Sequence, residues 1–358
     1  MKLKETMMDY INEQGKTCKD IMGKYEENLE SFKQVIDRKR PKNWLILATG
    51  SSLNATLSAK YYMEKVAGVS IDVIEPFTFV HYEKLKSTTD FILAISQSGH
   101  SSSTIEALKK ANTTGNIPTA VLTANLNSPI TNDADLVIDI GCGIEKVGYV
   151  TKGFSATVLT LMLMGLVSGN ALGSLTAEEE LQEIAEFNTA IEKIPYVIER
   201  SESFYRQFAE ELNRIPRFAT IGYGPTVGTA KESETKFTET VRVPTQGFEL
   251  EAFMHGPYLE VDESYGIVFI QTKSQHSERA EKLKAYFSKY TDHCFSITTG
   301  TEDNEKTMSV GIELDEFKST LLLVIPFQIL AYRITSGRGI DIEKDIFVDF
   351  DEVLKSKI

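Results

Sequence analysis

The apolar residues of this chain fall into short unbroken runs, separated by polar turns rich in glycine and serine. The first forty residues are an exception. There Met7, Met8, Ile11, Ile21, Met22 and Tyr25 recur at roughly helical spacing, which predicts a helical lead-in over 1–40, stopped by Pro41. Strands are then predicted over Trp44–Ala48, Ser70–Ile74, Phe91–Ile95, Thr119–Thr123 and Leu136–Ile140. Between and after them, helices are predicted over Ala55–Ala67, Ser103–Asn112 and Lys152–Val167. Continuous apolar strands alternating with helices imply a mostly parallel sheet covered on both faces.

A charged, helical stretch follows, and the pattern then starts again. Phe218–Gly224 repeats the run of apolar strand into glycine, and a helix is predicted over Thr229–Glu239. Val241–Val243, Gly266–Thr272 and Cys294–Thr298 read as strands, Glu278–Tyr290 as a helix, and Leu321–Arg333 completes the unit. The order of elements repeats although the letters do not, which suggests an internal duplication. The expected fold is α/β with two tandem modules: lead-in 1–40, first module 41–175, helical linker 176–212, and second module with its tail 213–358.

Length and charge narrow the classes. The 358 residues are enough for two domains, and 42% are hydrophobic, enough for a substantial core. A net charge of -13 disfavours a nucleic-acid partner. The three cysteines, Cys18, Cys142 and Cys294, form no metal spacing or disulfide framework and read as buried, inert thiols. No secretory h-region opens the chain, and the apolar stretches Phe154–Val167 and Thr320–Leu330 are short for a bilayer span, so both read as core. No membrane partner and a cytoplasmic location are expected. No GKS/T loop, zinc spacing or GxGxxG opening the first helix occurs, so neither cofactor nor metal is expected.

Candidate chemistry starts at Ser96–Thr104, where six hydroxyl side chains occur within nine positions between a strand and a helix. Helix-terminal amides, the free backbone of Gly99 and the hydroxyls of Ser96, Ser98 and Ser101 suit a phosphate. Caps and turns would use the same residues. The turn Gly50–Asn54, with Ser51 and Ser52, has the same character, and two such turns would converge at the carboxyl edge of one sheet. Glu232, Lys236 and Glu239 share one helix face, as a solvated charged stripe also would. His255 lies in the rigid turn Phe253–Pro257, as a catalytic or a packed histidine.

Five stretches together resemble the sugar isomerase (SIS) family, which includes the isomerase half of glucosamine-6-phosphate synthase and the fructosamine-6-phosphate deglycases. They are TGSSLNA at Thr49–Ala55, ISQSGHSSST at Ile95–Thr104, GIEKVGYVTKGF at Gly143–Phe154, GYGPTVGTAKESETKFTE at Gly222–Glu239, and FMHGP at Phe253–Pro257. The resemblance implies that Ser52, Ser96, Gln97, Ser98 and Ser101 hold a sugar phosphate, with Ser51 beside them. It makes Glu239 the proton shuttle and His255 the ring-opening group, with Glu232 and Lys236 facing the substrate. Because relatives supply the histidine across a dimer interface, a homodimer with composite sites is implied. The synthase tail carries a lysine where Phe350 stands here, and no ammonia-supplying domain is present, which makes amination unexpected. The expected activity is deglycation of a phosphorylated sugar–amine conjugate, such as a 6-phosphorylated ketosamine. Glucosamine-6-phosphate deamination and aldose–ketose isomerisation share the same residues, and sensing of a sugar phosphate is the non-enzymatic alternative.

Overall fold

The computed structural model describes residues 6–113, 115, 117–301, 304–344 and 346–357. The lead-in forms helices α1 (Met7–Met22), α2 (Tyr25–Asn28) and α3 (Glu30–Lys39). Then come β1 (Asn43–Leu47), α4 (Ser51–Ala67), β2 (Ser70–Ile74), α5 (Pro76–His81), β3 (Phe91–Ile95), α6 (Ser102–Asn112), β4 (Thr119–Thr123), β5 (Leu136–Asp139), α7 (Lys152–Leu172) and α8 (Ala177–Leu212). The second half holds β6 (Phe218–Gly222), α9 (Thr226–Lys236), β7 (Thr245–Glu249), α10 (Leu250–Phe253), β8 (Gly266–Gln271), α11 (Ser277–Phe287), β9 (Cys294–Thr298), β10 (Thr307–Ser309), α12 (Thr320–Gly337) and α13 (Phe350–Leu354).

The chain divides into two compact units. One comprises Lys16–Lys146, Lys152–Ala185 and Asp345–Ile358; the other comprises Met1–Gly15, Val147–Thr151 and Glu186–Lys344. Each holds one five-stranded sheet, ordered β2-β1-β3-β4-β5 in the first and β7-β6-β8-β9-β10 in the second. Every strand pair is parallel. The duplication is therefore real at the level of topology: in both sheets the first strand lies between the second and the third.

In the first unit β3 and β4 are buried throughout, as expected of strands covered on both faces. The lead-in is fixed to this sheet by Phe32, whose ring meets Trp44 and Phe91 edge-on. Helices α4 and α7 cross closely because α7 is glycine there. A Cβ on Gly165 would lie 2.9 Å from Met63 Cα, and one on Gly169 would lie 2.5 Å from the Val66 carbonyl oxygen. In the second unit, Gly247 of β7 plays the same part, since a Cβ there would lie 2.3 Å from the Ala230 carbonyl oxygen of α9.

Several expectations shift. Helix α4 begins at Ser51 rather than Ala55, so most of the predicted turn is its first helical turn. Val241–Val243 is not a strand: α9 runs on into a π-helical turn, Phe237–Val241, and the chain leaves it through Arg242 at φ 60°. Local β-propensity of the two valines yields to that continuation, and Thr245–Glu249 supplies the edge strand instead. Helix α5 and strand β10 lie outside the predicted elements; α5 starts on Pro76, which suits a first helical position. The two apolar helices are longer than their sequence runs suggested. At 21 and 18 residues, α7 and α12 are long and apolar enough to cross a membrane, yet 89% and 78% of their apolar windows lie buried within the protein, as in core helices.

Candidate functional site

Strands β1 and β3 are parallel neighbours, with Leu47 beside Ala94, so the turns that follow them emerge side by side. That is the topological switch point of a 2-1-3-4-5 sheet, where ligands of open α/β sheets bind. The first turn passes through Gly50 at φ 57° and delivers Ser51 and Ser52, both half-buried, to the first turn of α4. The second turn bends at Gly99 (φ 72°), where any Cβ would lie 1.8 Å from Ser128 Oγ, so only glycine fits. Ser96 is buried and accepts the Gly99 amide through both its carbonyl (3.0 Å) and its hydroxyl (3.2 Å). Ser98 is exposed and accepts the His100 amide at 3.3 Å. Ser101 occupies the N-cap position of α6 without a side-chain capping bond, and accepts the Thr104 hydroxyl at 2.9 Å. The fold thus brings all the predicted phosphate-holding side chains to one edge of the first sheet.

The loop carries a cover the sequence did not suggest. The tail lies along the start of α6: Ser102 Oγ donates to the Lys355 carbonyl at 2.7 Å and the Ser102 amide donates to the Ser356 carbonyl at 3.2 Å. A lone bridge pairs Ser101 with Lys357. One of the helix-terminal amides expected to face an anion is therefore engaged by the chain's own backbone.

The second unit positions the acid–base candidates. Thr226 closes the turn into α9, accepting the Tyr223 amide at 2.9 Å and donating to the Tyr223 carbonyl at 2.8 Å. Helical spacing then places Glu232 and Lys236 on one buried face, each fully excluded from solvent, with Lys236 Nζ 3.6 Å from Glu232 Oε1. The same ammonium donates to Glu239 Oε2 at 2.6 Å, and the Glu239 side chain is 37% exposed. A buried carboxylate, a buried ammonium and a solvent-reaching carboxylate thus form a short relay. The stripe is a network rather than a solvated face. The π turn sets the geometry: the Arg242 amide reaches back five residues to the Phe237 carbonyl at 2.9 Å. Such turns concentrate at functional sites, as do non-glycine residues at positive φ.

His255 follows α10, where Glu249 caps the helix by accepting the Ala252 amide at 2.8 Å. The His255 amide donates to the Ala252 carbonyl at 3.1 Å, and Gly256 turns the chain at φ 122°. Phe253 anchors this turn in the core against Phe248 and Phe287, leaving the imidazole exposed rather than packed. Among the described residues, no hydrogen bond or ion pair joins His255 to Glu239.

A family model described as the SIS domain matches residues 39–167. A solved Clostridium difficile 630 protein, assigned as a phosphosugar isomerase, is 25% identical with a TM-score of 0.89 and covers 98% of both chains. Residues 39–167 of this chain thus form a SIS domain. The C-terminal domain of glucosamine-fructose-6-phosphate aminotransferase from Francisella tularensis shares the fold, with a TM-score of 0.85 at 22% identity over 95% of this chain and 98% of that one. Glutamine–fructose-6-phosphate aminotransferase [isomerizing] from Caulobacter vibrioides is 25% identical over 342 residues, 93% of this chain but 56% of the relative. The chain spans about half the length of the curated relatives it matches.

Within the SIS fold, two side chains not singled out in the sequence stand beside the predicted ones. Glu145 accepts Gln97 Nε2 and the Gly153 amide, each at 3.1 Å, tying the phosphate-type loop to the start of α7. Gly153 leaves room for that tie, since a Cβ would lie 2.0 Å from Gln97 Nε2. Tyr149 donates its hydroxyl to the Ile342 carbonyl. Burial pushes its phenol pKa up, Arg242 opposes this, and the carboxylates of Glu343 and Glu239 add to it, so the hydroxyl stays neutral close to Glu239. An acid and a tyrosine inside the glycine-rich GIEKVGYVTKGF stretch were the available signal. Among the described residues, no group of His, Cys, Asp or Glu is arranged to hold a metal ion.

Proposed function

We propose that this chain is a phosphosugar enzyme that moves a proton between C1 and C2 of a hexose 6-phosphate, interconverting aldose and ketose forms, with amine-bearing sugars among its substrates. Ser96, Ser98 and Ser101, with Ser51 and Ser52, hold the phosphate; Gln97 orders the loop. His255 assists ring opening by delivering a proton to the ring oxygen as the anomeric hydroxyl loses its own. Glu239 takes the proton from one carbon while the neighbouring carbonyl oxygen or imine nitrogen gains one, leaving an enediol or enolamine, and returns it to the other carbon as the second hydroxyl or amine gives its proton up. Lys236 holds Glu239 in place and is itself fixed by Glu232. The single observation that carries this reading is the 2.6 Å contact between Lys236 and Glu239, at the one solvent-reaching end of an otherwise buried relay. Proton transfer needs a positioned carboxylate, whereas mere sensing of a sugar phosphate does not. The names of the similar proteins, a phosphosugar isomerase and an isomerizing aminotransferase, agree with it.

Loss of the amine from a 6-phosphorylated ketosamine is the second reading. It is favoured by Phe350, 51% exposed at the tail position where a lysine is expected in the synthase. We place the protein in the cytoplasm, as a homodimer whose sites draw His255 from the partner subunit. The test is an incubation with fructose 6-phosphate, glucosamine 6-phosphate and fructosamine 6-phosphates, read by mass spectrometry and by deuterium uptake from solvent. Deuterium at C1 or C2 is expected, and it is expected to fall about 10²–10⁴-fold in Glu239→Gln while phosphosugar binding persists. Free amino acid among the products selects the second reading. Full exchange in Glu239→Gln removes the assigned base.

A further inference from the structure

At the carboxyl end of the second sheet lies a cavity of about 640 Å³ that none of the proposed catalytic or phosphate-holding residues lines. Gln271, ending β8, and Thr298, ending β9, contribute to its lining together with Thr299, while α11 contributes Ser277 and Lys284. Its volume is that of an ordinary small-molecule site.

Its position is the second-sheet counterpart of the Ser96–Ser101 loop. In the first sheet the segment after β3 is held by the residue following β4: the Ala124 amide donates to the Gln97 carbonyl at 3.0 Å. In the second, the Thr299 amide, following β9, donates to the Gln271 carbonyl at 3.1 Å, and the Lys273 amide returns a bond to Thr299 Oγ1 at 3.1 Å. The segment after β8 reads Thr-Lys-Ser-Gln-His where the first sheet has Ser-Gln-Ser-Gly-His. The duplicated loop has thus kept hydroxyls and added a cation.

Lys284 makes the cavity more than an echo of the first loop. Its side chain is half-buried, and its ammonium donates to Thr307 Oγ1 at 3.0 Å. Among the described residues no carboxylate pairs with it. Burial pushes its pKa down; Cys294 opposes this and the neighbouring Lys306 charge adds to it. A half-buried ammonium whose partner is a neutral hydroxyl gains from an anion beside it. Lys273, 69% exposed and bridged to Glu313, also lines the cavity. Glu281 supplies an acceptor for ligand hydroxyls.

We propose that this cavity is a second binding site, for a phosphorylated sugar or polyol, with the phosphate beside Lys284 and Lys273 and the hydroxyls on Gln271, Thr298 and Glu281. The cavity and its lysine stand independently of the phosphate reading of the first loop. Calorimetric titration of the full chain with glucose 6-phosphate tests it, on the parent, Lys284→Met, Lys273→Ala and Ser98→Ala. The expected result is a binding event weakened at least about ten-fold by Lys284→Met, weakened in the same direction by Lys273→Ala, and unchanged by Ser98→Ala. Because Lys273 is exposed, its substitution reports on binding even if Lys284→Met disturbs folding. A titration in which both lysine variants bind like the parent overturns the proposal. A titration in which every event is lost in Ser98→Ala and intact in both lysine variants would do the same while leaving the first-loop reading standing.

Discussion

Lys236 shows how a residue that looks like surface charge becomes the centre of a site. Its ammonium is wholly buried between Glu232 and Glu239, and it has a hydrogen bond to the one carboxylate that reaches solvent. Replacing it with methionine removes the ammonium that faces the buried Glu232 carboxylate at 3.6 Å. Lys236→Met is expected to destabilise the fold by about 3–5 kcal/mol, read as a lower urea midpoint at unchanged m-value, and adding Glu232→Gln is expected to restore much of it. The three cysteines are all buried and free. Burial pushes Cys18 and Cys142 from the ordinary 9.0 to about 12 and also raises Cys294. Native protein at pH 8 is therefore expected to resist a thiol reagent until denatured, which mass spectrometry would count. Since the folded state keeps protons that the unfolded state releases, Cys18 and Cys142 contribute stability that is intact below about pH 9 and lost as pH rises towards 12. Chemical denaturation across that range checks the sign.

The elements that carry chemistry are held by close approaches rather than by strong propensities. Glycine at 99, 153, 165 and 169 lets a loop or helix come nearer than any other residue permits. Gly153 is the most informative, because the obstacle is the movable end of Gln97 rather than backbone. Gly153→Ala is expected to cost little stability, about 1 kcal/mol or less, but to push Gln97 off Glu145 and raise KM for the phosphosugar with a smaller effect on kcat. Unchanged KM would mean that the Gln97–Glu145 tie does not order the loop. The covered strands were legible from their apolar runs, since a strand covered on both faces has no other composition open to it, whereas the edge strands β7 and β10 were not. The π turn was not. Its signal is a hydrogen bond reaching back five residues, which no local pattern announces, and Val241 and Val243 favour a strand. The start of α4 was misplaced for a related reason: Ser51 and Ser52 favour caps and turns, yet they occupy the first helical turn.

For the whole molecule, the proposed dimer is open to a direct test. With a chain mass of 40.0 kDa, light scattering is expected to give twice that value. If His255 serves the partner's Glu239, mixing Glu239→Gln and His255→Ala subunits restores one intact site per mixed dimer. Activity of about a quarter of the parent is then expected from a statistical mixture, where either variant alone is nearly inactive. Failure to complement would assign both residues to a site within one subunit.

By itself the sequence determined the parallel α/β class, the repeat of one topology and the hydroxyl-rich loops, because backbone geometry and burial impose these on local composition. Its motifs also pointed to the SIS family. Tertiary structure alone decided that Lys236 is buried and paired, that Glu145 ties Gln97 to α7, that the tail backbone lies on Ser102, and that Lys284 faces a cavity beside a hydroxyl. Most of these rest on distances between residues remote in the chain. For Lys236 and Glu239, three residues apart, the deciding fact is burial beneath neighbouring elements, and a linear pattern of charged letters reads the same whether its face meets water or protein.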